Sequence, residues 1–206
     1  MGYAVLFATL RALNPSGGVE MDVEDIVGKV MELTKYKRIS DHITVTGGSP
    51  LECNRKELIY LLELLKLDGY WITLEESGQV YCKNIFDVCD FLSIDAKSPS
   101  TGVKINYKVH NLLYNNYLDK TQIKIIVRDE KDLEFVEEYL ERYSVFSRIE
   151  RLYEVIVTPC WEIRESFRTF RSRTKWIHRE VLKRGLSVRV IPQLHKIIYG
   201  TKRVSV

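Results

Sequence analysis

No stretch of this sequence comes near the ~20 consecutive apolar residues needed to span a bilayer. The longest apolar runs are short, and Ile59–Leu65 is interrupted by Glu63. The amino-terminal MGYAVLFATLRAL lacks a basic segment ahead of its apolar stretch and lacks a convincing cleavage site. It therefore reads as a strand and not as a secretory signal, and the expected location is the cytoplasm. Cysteine is sparse: Cys53, Cys82, Cys89 and Cys160 form no CxxC or CxxxCxxC group. The usual zinc and iron–sulfur spacings are absent, so reduced, mostly buried thiols are expected. Net charge is only +3, too small by itself to imply a nucleic-acid partner. Internal repeats and low-complexity linkers are also missing. What remains is a chain of 206 residues, 45% apolar and 29% charged, the composition of one globular domain spanning residues 1–206.

Within that domain, strand, turn and helix recur. Tyr3–Leu10 is an apolar run closed by the loop Asn14-Pro15-Ser16-Gly17-Gly18. Val23, Ile26, Val27 and Val30 follow at helical spacing, with Asp22 placed to cap them. Ile43–Thr46 is a short β-rich run before Gly47-Gly48, and Leu58, Leu61, Leu62 and Leu65 repeat the helical period. Strands are predicted at Tyr70–Leu74, Phe91–Ile94, Gln122–Val127, Glu154–Val157 and Leu186–Ile191. Helices are predicted over Tyr107–Leu118, around Leu133, Val136 and Leu140, and over Phe167–Leu182, with Gly185 past the end of the last. Strands separated by helices of this length pair in parallel through crossovers. About six parallel strands with outer helices predict an α/β fold, a partial (β/α) barrel or an open doubly wound sheet. In either, ligands bind at the carboxyl ends of the strands.

Four segments carry chemistry at such ends. Thr46-Gly-Gly-Ser-Pro-Leu51 places two glycines where the backbone can turn sharply and approach a ligand. Leu74-Glu-Glu-Ser-Gly78 closes the next strand with polar groups and a glycine. In Ser93-Ile-Asp-Ala-Lys97, Ser93, Asp95 and Lys97 alternate along a strand and share one face. Polar residues so placed need partners, which favours a site over a core. Beyond the last strand, Gln193 and His195 of Pro192-Gln-Leu-His-Lys196 are expected to share a face as well.

Thr46-Gly-Gly-x-Pro-Leu51 resembles the S-adenosylmethionine-binding turn of radical enzymes. Leu74-Glu-x-x-Gly78, Ser93-x-Asp-x-Lys-x-Pro-Ser-x-Gly102 and Pro192-Gln-Leu-His-Lys196, in this order, are similar to the 7-carboxy-7-deazaguanine synthase family, especially its archaeal members. The resemblance runs from about Thr9 to about Arg203 and implies a partial (β/α) barrel of the radical S-adenosylmethionine type. It implies that Gly47, Gly48 and Ser49 take the methionine end of S-adenosylmethionine, with Glu75, Ser93 and Lys97 near that cofactor. Gln193 and His195 would face the pterin-type substrate, 6-carboxy-5,6,7,8-tetrahydropterin, and Thr9 would stand near a magnesium ion. The implied reaction is a ring contraction with loss of ammonia, started by a [4Fe–4S] cluster, on the route to queuosine and archaeosine in tRNA. The family also often forms homodimers.

The sequence departs from that pattern in two places. Aligned on Thr9, Phe7 and Ala4 stand where the third and second cluster cysteines belong, Ala8 stands at an aspartate, and the first cysteine falls before Met1. Ser49 stands where the family usually has a glutamate. An inactive homologue is therefore expected: a paralogue that keeps a pterin or nucleotide pocket, or a reading-frame error near the start of the gene. Ser49 favours the paralogue, because an upstream frameshift would leave it untouched. One further feature belongs to neither account. Arg164, Arg168, Arg171, Lys175 and Arg179 recur at spacings of three or four, a solvated cationic face or a contact for an anionic partner such as tRNA. His42, His110 and His178 have no acidic or cysteine partner at ligand spacing and are read as structural.

Overall fold

A computed structural model describes residues 4–6, 21–35, 42–52, 54–144, 154–162 and 164–199. The chain divides into two compact units, Met1–Ile94 and Asp95–Val206. In the first, β1 (Ala4–Leu6), β2 (His42–Val45), β3 (Trp71–Glu76) and β4, which begins at Phe91 and runs on to Ala96, pair side by side and in parallel. Helices α1 (Val23–Lys35), α2 (Arg55–Leu67) and α3 (Lys83–Val88) connect them. In the second unit β5 (Thr121–Val127), β6 (Glu154–Pro159) and β7 (Arg189–Val190) are again parallel. Its helices are α4 (Tyr107–Tyr117), α5 (Glu130–Ser144), α6 (Phe167–Arg184) and α7 (Leu194–Tyr199).

The elements form where spacing and caps dictate. Asp22 accepts the Asp25 N–H at 2.8 Å and opens α1, whose Val23, Ile26 and Val30 are buried. Asn54 caps α2 through the Lys56 N–H, and Leu58, Leu61, Leu62 and Leu65 are fully buried along one stripe. Each such leucine contributes roughly 1.5–3 kcal/mol. Ser166 caps α6 through the Thr169 N–H, and Gly185 ends it in the left-handed region at φ 63°.

Two expectations need correction. The last strand is two residues long, not six, and the segment beyond it is helical. Pro192 has no N–H to extend a ladder, and Leu194, Ile197 and Ile198 then follow a helical period. Gln193 therefore precedes α7 and His195 lies in its first turn, so the two do not share a strand face. The spacing also misses α3, a six-residue helix too short to show a period. The loop at Asn14–Gly18 lies outside the described residues.

Candidate functional site

Strand register sorts the first unit's sheet into two unlike faces. Ile43, Val45, Ile72, Leu74, Leu92 and Ile94 point to one side and are all at most 2% exposed. The other side carries Trp71 and Phe91 where β3 and β4 begin and is polar beyond them. Thr44 lies beside Thr73, and Glu75 lies beside Ser93. His42 Nε2 is 2.7 Å from Thr73 Oγ1, and Thr46 donates to Glu75 Oε2 at 3.0 Å. Ser93 is buried and Glu75 half-buried. Apolar positions facing helices and polar positions facing away are what a ligand-lined sheet requires, because buried polar groups otherwise cost stability. The structure thus brings Glu75 and Ser93 together at the carboxyl ends of β3 and β4.

Beside them, β2 ends in the glycine turn. Gly47 and Gly48 have φ of 116° and 66°, and a Cβ built on either meets no described residue within 4 Å. Among the described residues the turn is therefore open above, and its backbone conformation is what keeps side chains out. What holds it from beneath is Glu76, a residue that the motif reading passed over. Glu76 shares the parity of Ile72 and Leu74, so its carboxylate enters the apolar side of the sheet and is only 3% exposed. Four donors satisfy it. Ser49 Oγ donates to Oε1, the Leu51 N–H donates to Oε2 at 3.0 Å, and the Ser77 N–H and Oγ donate to Oε1 at 2.8 and 2.7 Å. Ser49 is itself buried, with its hydroxyl also 3.1 Å from Ser77 Oγ. Ser49 and Leu51 are thereby clamped to the end of β3, and the glycines between β2 and this clamp have little freedom.

In the second unit Lys97 donates to Asp95 Oδ2 at 2.8 Å, both side chains being about a quarter exposed or less. The following loop is fixed firmly. Ser98, fully buried, donates to the Ile126 carbonyl at 2.6 Å, and Gly102 adopts φ 70°. Asp132, also fully buried, accepts the Ser100 N–H at 2.9 Å and the Arg128 N–H at 2.8 Å. Here β5 alternates in burial along its length. Gln122, Lys124 and Ile126 are half-buried on one face, while Ile123, Ile125 and Val127 are buried on the other. By register Gln122 lies beside Glu154, and Ile126 beside the buried Thr158. Gln122, Lys124 and Thr158 are thus polar positions at the strand face that the sequence reading did not single out. Gln193 is half-buried ahead of α7, and Thr9 lies outside the described residues.

The donor set does not fit a [4Fe–4S] cluster. Cys82 and Cys89 flank α3, Cys160 follows β6, and Cys89 is 1% exposed. Such a cluster takes Cys thiolates grouped around it. Among the described residues no group of three or more His, Cys, Asp or Glu could hold a metal ion.

A 7-carboxy-7-deazaguanine synthase of Thermoplasma acidophilum is 29% identical over 185 residues, covering 89% of this chain and 77% of its own length. That of Pyrobaculum aerophilum is 29% identical over 91% of the chain, and that of Aquifex aeolicus 29% identical over 81%. The chain is a homologue of the 7-carboxy-7-deazaguanine synthases. No family model matches it. Among solved structures, Streptococcus suis SuiB bound to S-adenosylmethionine superposes with a TM-score of 0.60 at 10% identity, over 99% of this chain. SuiB bound to its precursor peptide SuiA gives 0.61 at 8% identity. The chain spans about half of SuiB, 53% in both cases. At that identity the likeness concerns the fold alone, and the fold class is the one expected, an α/β fold of parallel strands with outer helices consistent with a partial (β/α) barrel. No helix of the described residues is long and apolar enough to cross a membrane.

Proposed function

We propose that this chain binds S-adenosylmethionine and a pterin-type substrate as the 7-carboxy-7-deazaguanine synthases do, but does not carry out radical ring contraction with the cysteines of this sequence. The observation that carries the reading is the open Gly47-Gly48 turn, pinned through Ser49 and Leu51 to the buried Glu76. Such a turn presents backbone groups to a ligand without a side chain in the way. Glu75, held by Thr46, supplies a carboxylate for a cationic group such as the ammonium of a bound amino acid. Ser93 beside it supplies a hydroxyl from the same polar face. S-adenosylmethionine contributes an ammonium, a carboxylate, ribose hydroxyls and an adenine ring, and this set of residues suits the first of these directly. Lys97 and Gln193 belong to the other unit and are assigned to the cofactor and the substrate by homology. Magnesium at Thr9 and a homodimer enter by the same route.

The test uses the purified full chain. Titration calorimetry should show S-adenosylmethionine binding to iron-free protein, lost in Gly48→Val. Anaerobic reconstitution with iron and sulfide should leave less than one cluster per chain and yield no 7-carboxy-7-deazaguanine from 6-carboxy-5,6,7,8-tetrahydropterin. Absence of heat with S-adenosylmethionine overturns the binding half of the proposal. A brown protein with four irons per chain and product formation overturns the other half.

A further inference from the structure

The charge of this protein is distributed unevenly. Helix α6 carries seven of the 31 Lys and Arg residues and one of the 28 Asp and Glu. Its net +6 exceeds the +3 of the whole chain, so all other residues together are net negative. Nearby acids are present, but the inward-facing arginines take them. Arg173 pairs with Glu162 at 3.4 Å and Glu165 at 2.7 Å, and also donates to the Cys160 carbonyl. Arg184 pairs with Glu130, with Glu137 at 3.3 Å and with Glu180 at 3.4 Å. Arg168, Arg171, Lys175 and Arg179 are left exposed, and none lies within salt-bridge distance of a carboxylate among the described residues. Arg164, expected on the same face, sits in the preceding loop at φ 70° and is not part of the helix.

These four cations form one stripe. Steps of three, four and four residues keep them on one side of the helix, about 4.5–6 Å apart along an axis of about 16 Å. Like charges so close repel one another when no counter-charge is built in, so the stripe is complementary to a regular array of anions. We propose that it docks the phosphate backbone of a folded RNA. The exposed residues interleaved on the stripe are Ser172 and His178, polar groups able to meet phosphate oxygens or ribose 2′-hydroxyls. A lipid surface fits less well. An interfacial helix lays an apolar face into the membrane, whereas Phe170, Ile177 and Val181 of α6 are buried in the protein. The exposed Phe167 and Leu182 lie beyond the two ends of the stripe. This docking is independent of whatever is bound at the glycine turn.

Fluorescence anisotropy with a labelled RNA hairpin tests the proposal. Four phosphate contacts give a slope of log affinity against log salt of about −3 to −4, or on the order of 100-fold weakening between 50 and 200 mM salt. Arg168→Glu with Arg171→Glu should weaken binding strongly and flatten that slope by about two. Lys175→Gln with Arg179→Gln, which adds no negative charge, should flatten it equally. Lys108→Glu with Lys131→Glu makes the same charge change as the first pair at exposed sites off the stripe and should leave affinity within a factor of a few. A flat salt dependence overturns the proposal, as does equal loss in the off-stripe variant. It is also overturned if a DNA hairpin of the same sequence, or phosphatidylserine vesicles, bind as tightly as the RNA.

Discussion

Glu76→Gln perturbs the clamp under the glycine turn while changing almost no volume. The carboxylate has four donors on two oxygens, in a place only 3% exposed. An amide keeps one oxygen and turns the other into a donor. If the oxygen stays with Ser49 and Ser77, the Leu51 N–H loses its acceptor and meets an NH2 group instead. A hydrogen bond to a charged group is worth about 1.5–3 kcal/mol, and a stranded buried donor costs about 1–3 kcal/mol more. The net loss should be about 3 kcal/mol, which for a chain of this length lowers Tm by roughly 6–12 °C. Differential scanning calorimetry measures that shift, and calorimetric titration of the folded variant should show weakened S-adenosylmethionine binding. A Tm within about 1 °C of the parent would refute the clamp. Lost stability with unchanged S-adenosylmethionine affinity would keep the clamp but refute its connection to the turn above it.

Other perturbations follow from the same structure. His110 is fully buried, its Nδ1 is 2.9 Å from the Tyr139 hydroxyl, its Nε2 has no partner among the described residues, and burial pushes its pKa down to about 4. The unfolded chain therefore binds the extra proton first, and stability present above pH 6.5 is lost as pH falls toward 4. Urea midpoints should fall by an amount equivalent to about 3 kcal/mol over that window, and His110→Gln should flatten the dependence. Asp132→Asn removes one acceptor from the Ser100 and Arg128 amides. It should cost about 1–3 kcal/mol, with both amides exchanging hydrogen faster by NMR. Arg184→Ala leaves Glu130, Glu137 and Glu180 without their shared cation. It should lower the urea midpoint by the equivalent of about 1–2 kcal/mol, and less in high salt.

The parallel strands and long helices were legible because hydrophobic spacing and caps agree. Leu58, Leu61, Leu62 and Leu65 lie on one stripe, and Ser166 and Gly185 bracket α6. Polar loops at strand ends were legible for the same reason, since they interrupt apolar runs. Glu76 was not. Two adjacent acids at a strand end face opposite ways, and only the register with Ile72 and Leu74 shows which one is buried. Lys124 was hidden similarly, because an apolar run interrupted once by lysine reads as a buried strand until its neighbours define two faces. The strand-like reading of Gln193 and His195 failed at Pro192, whose missing N–H ends a ladder and allows a helix to begin. The segregation of cations on α6 became informative only once Arg173 and Arg184 were seen to take the local acids.

Whether the turn at the end of β2 holds S-adenosylmethionine is decided by a crystal structure of the chain grown with that ligand. The amino-acid end of the ligand should lie against the Gly47-Gly48 backbone, with its ammonium within hydrogen-bond distance of Glu75. Ligand bound elsewhere, or a turn left empty at saturating S-adenosylmethionine, would contradict it.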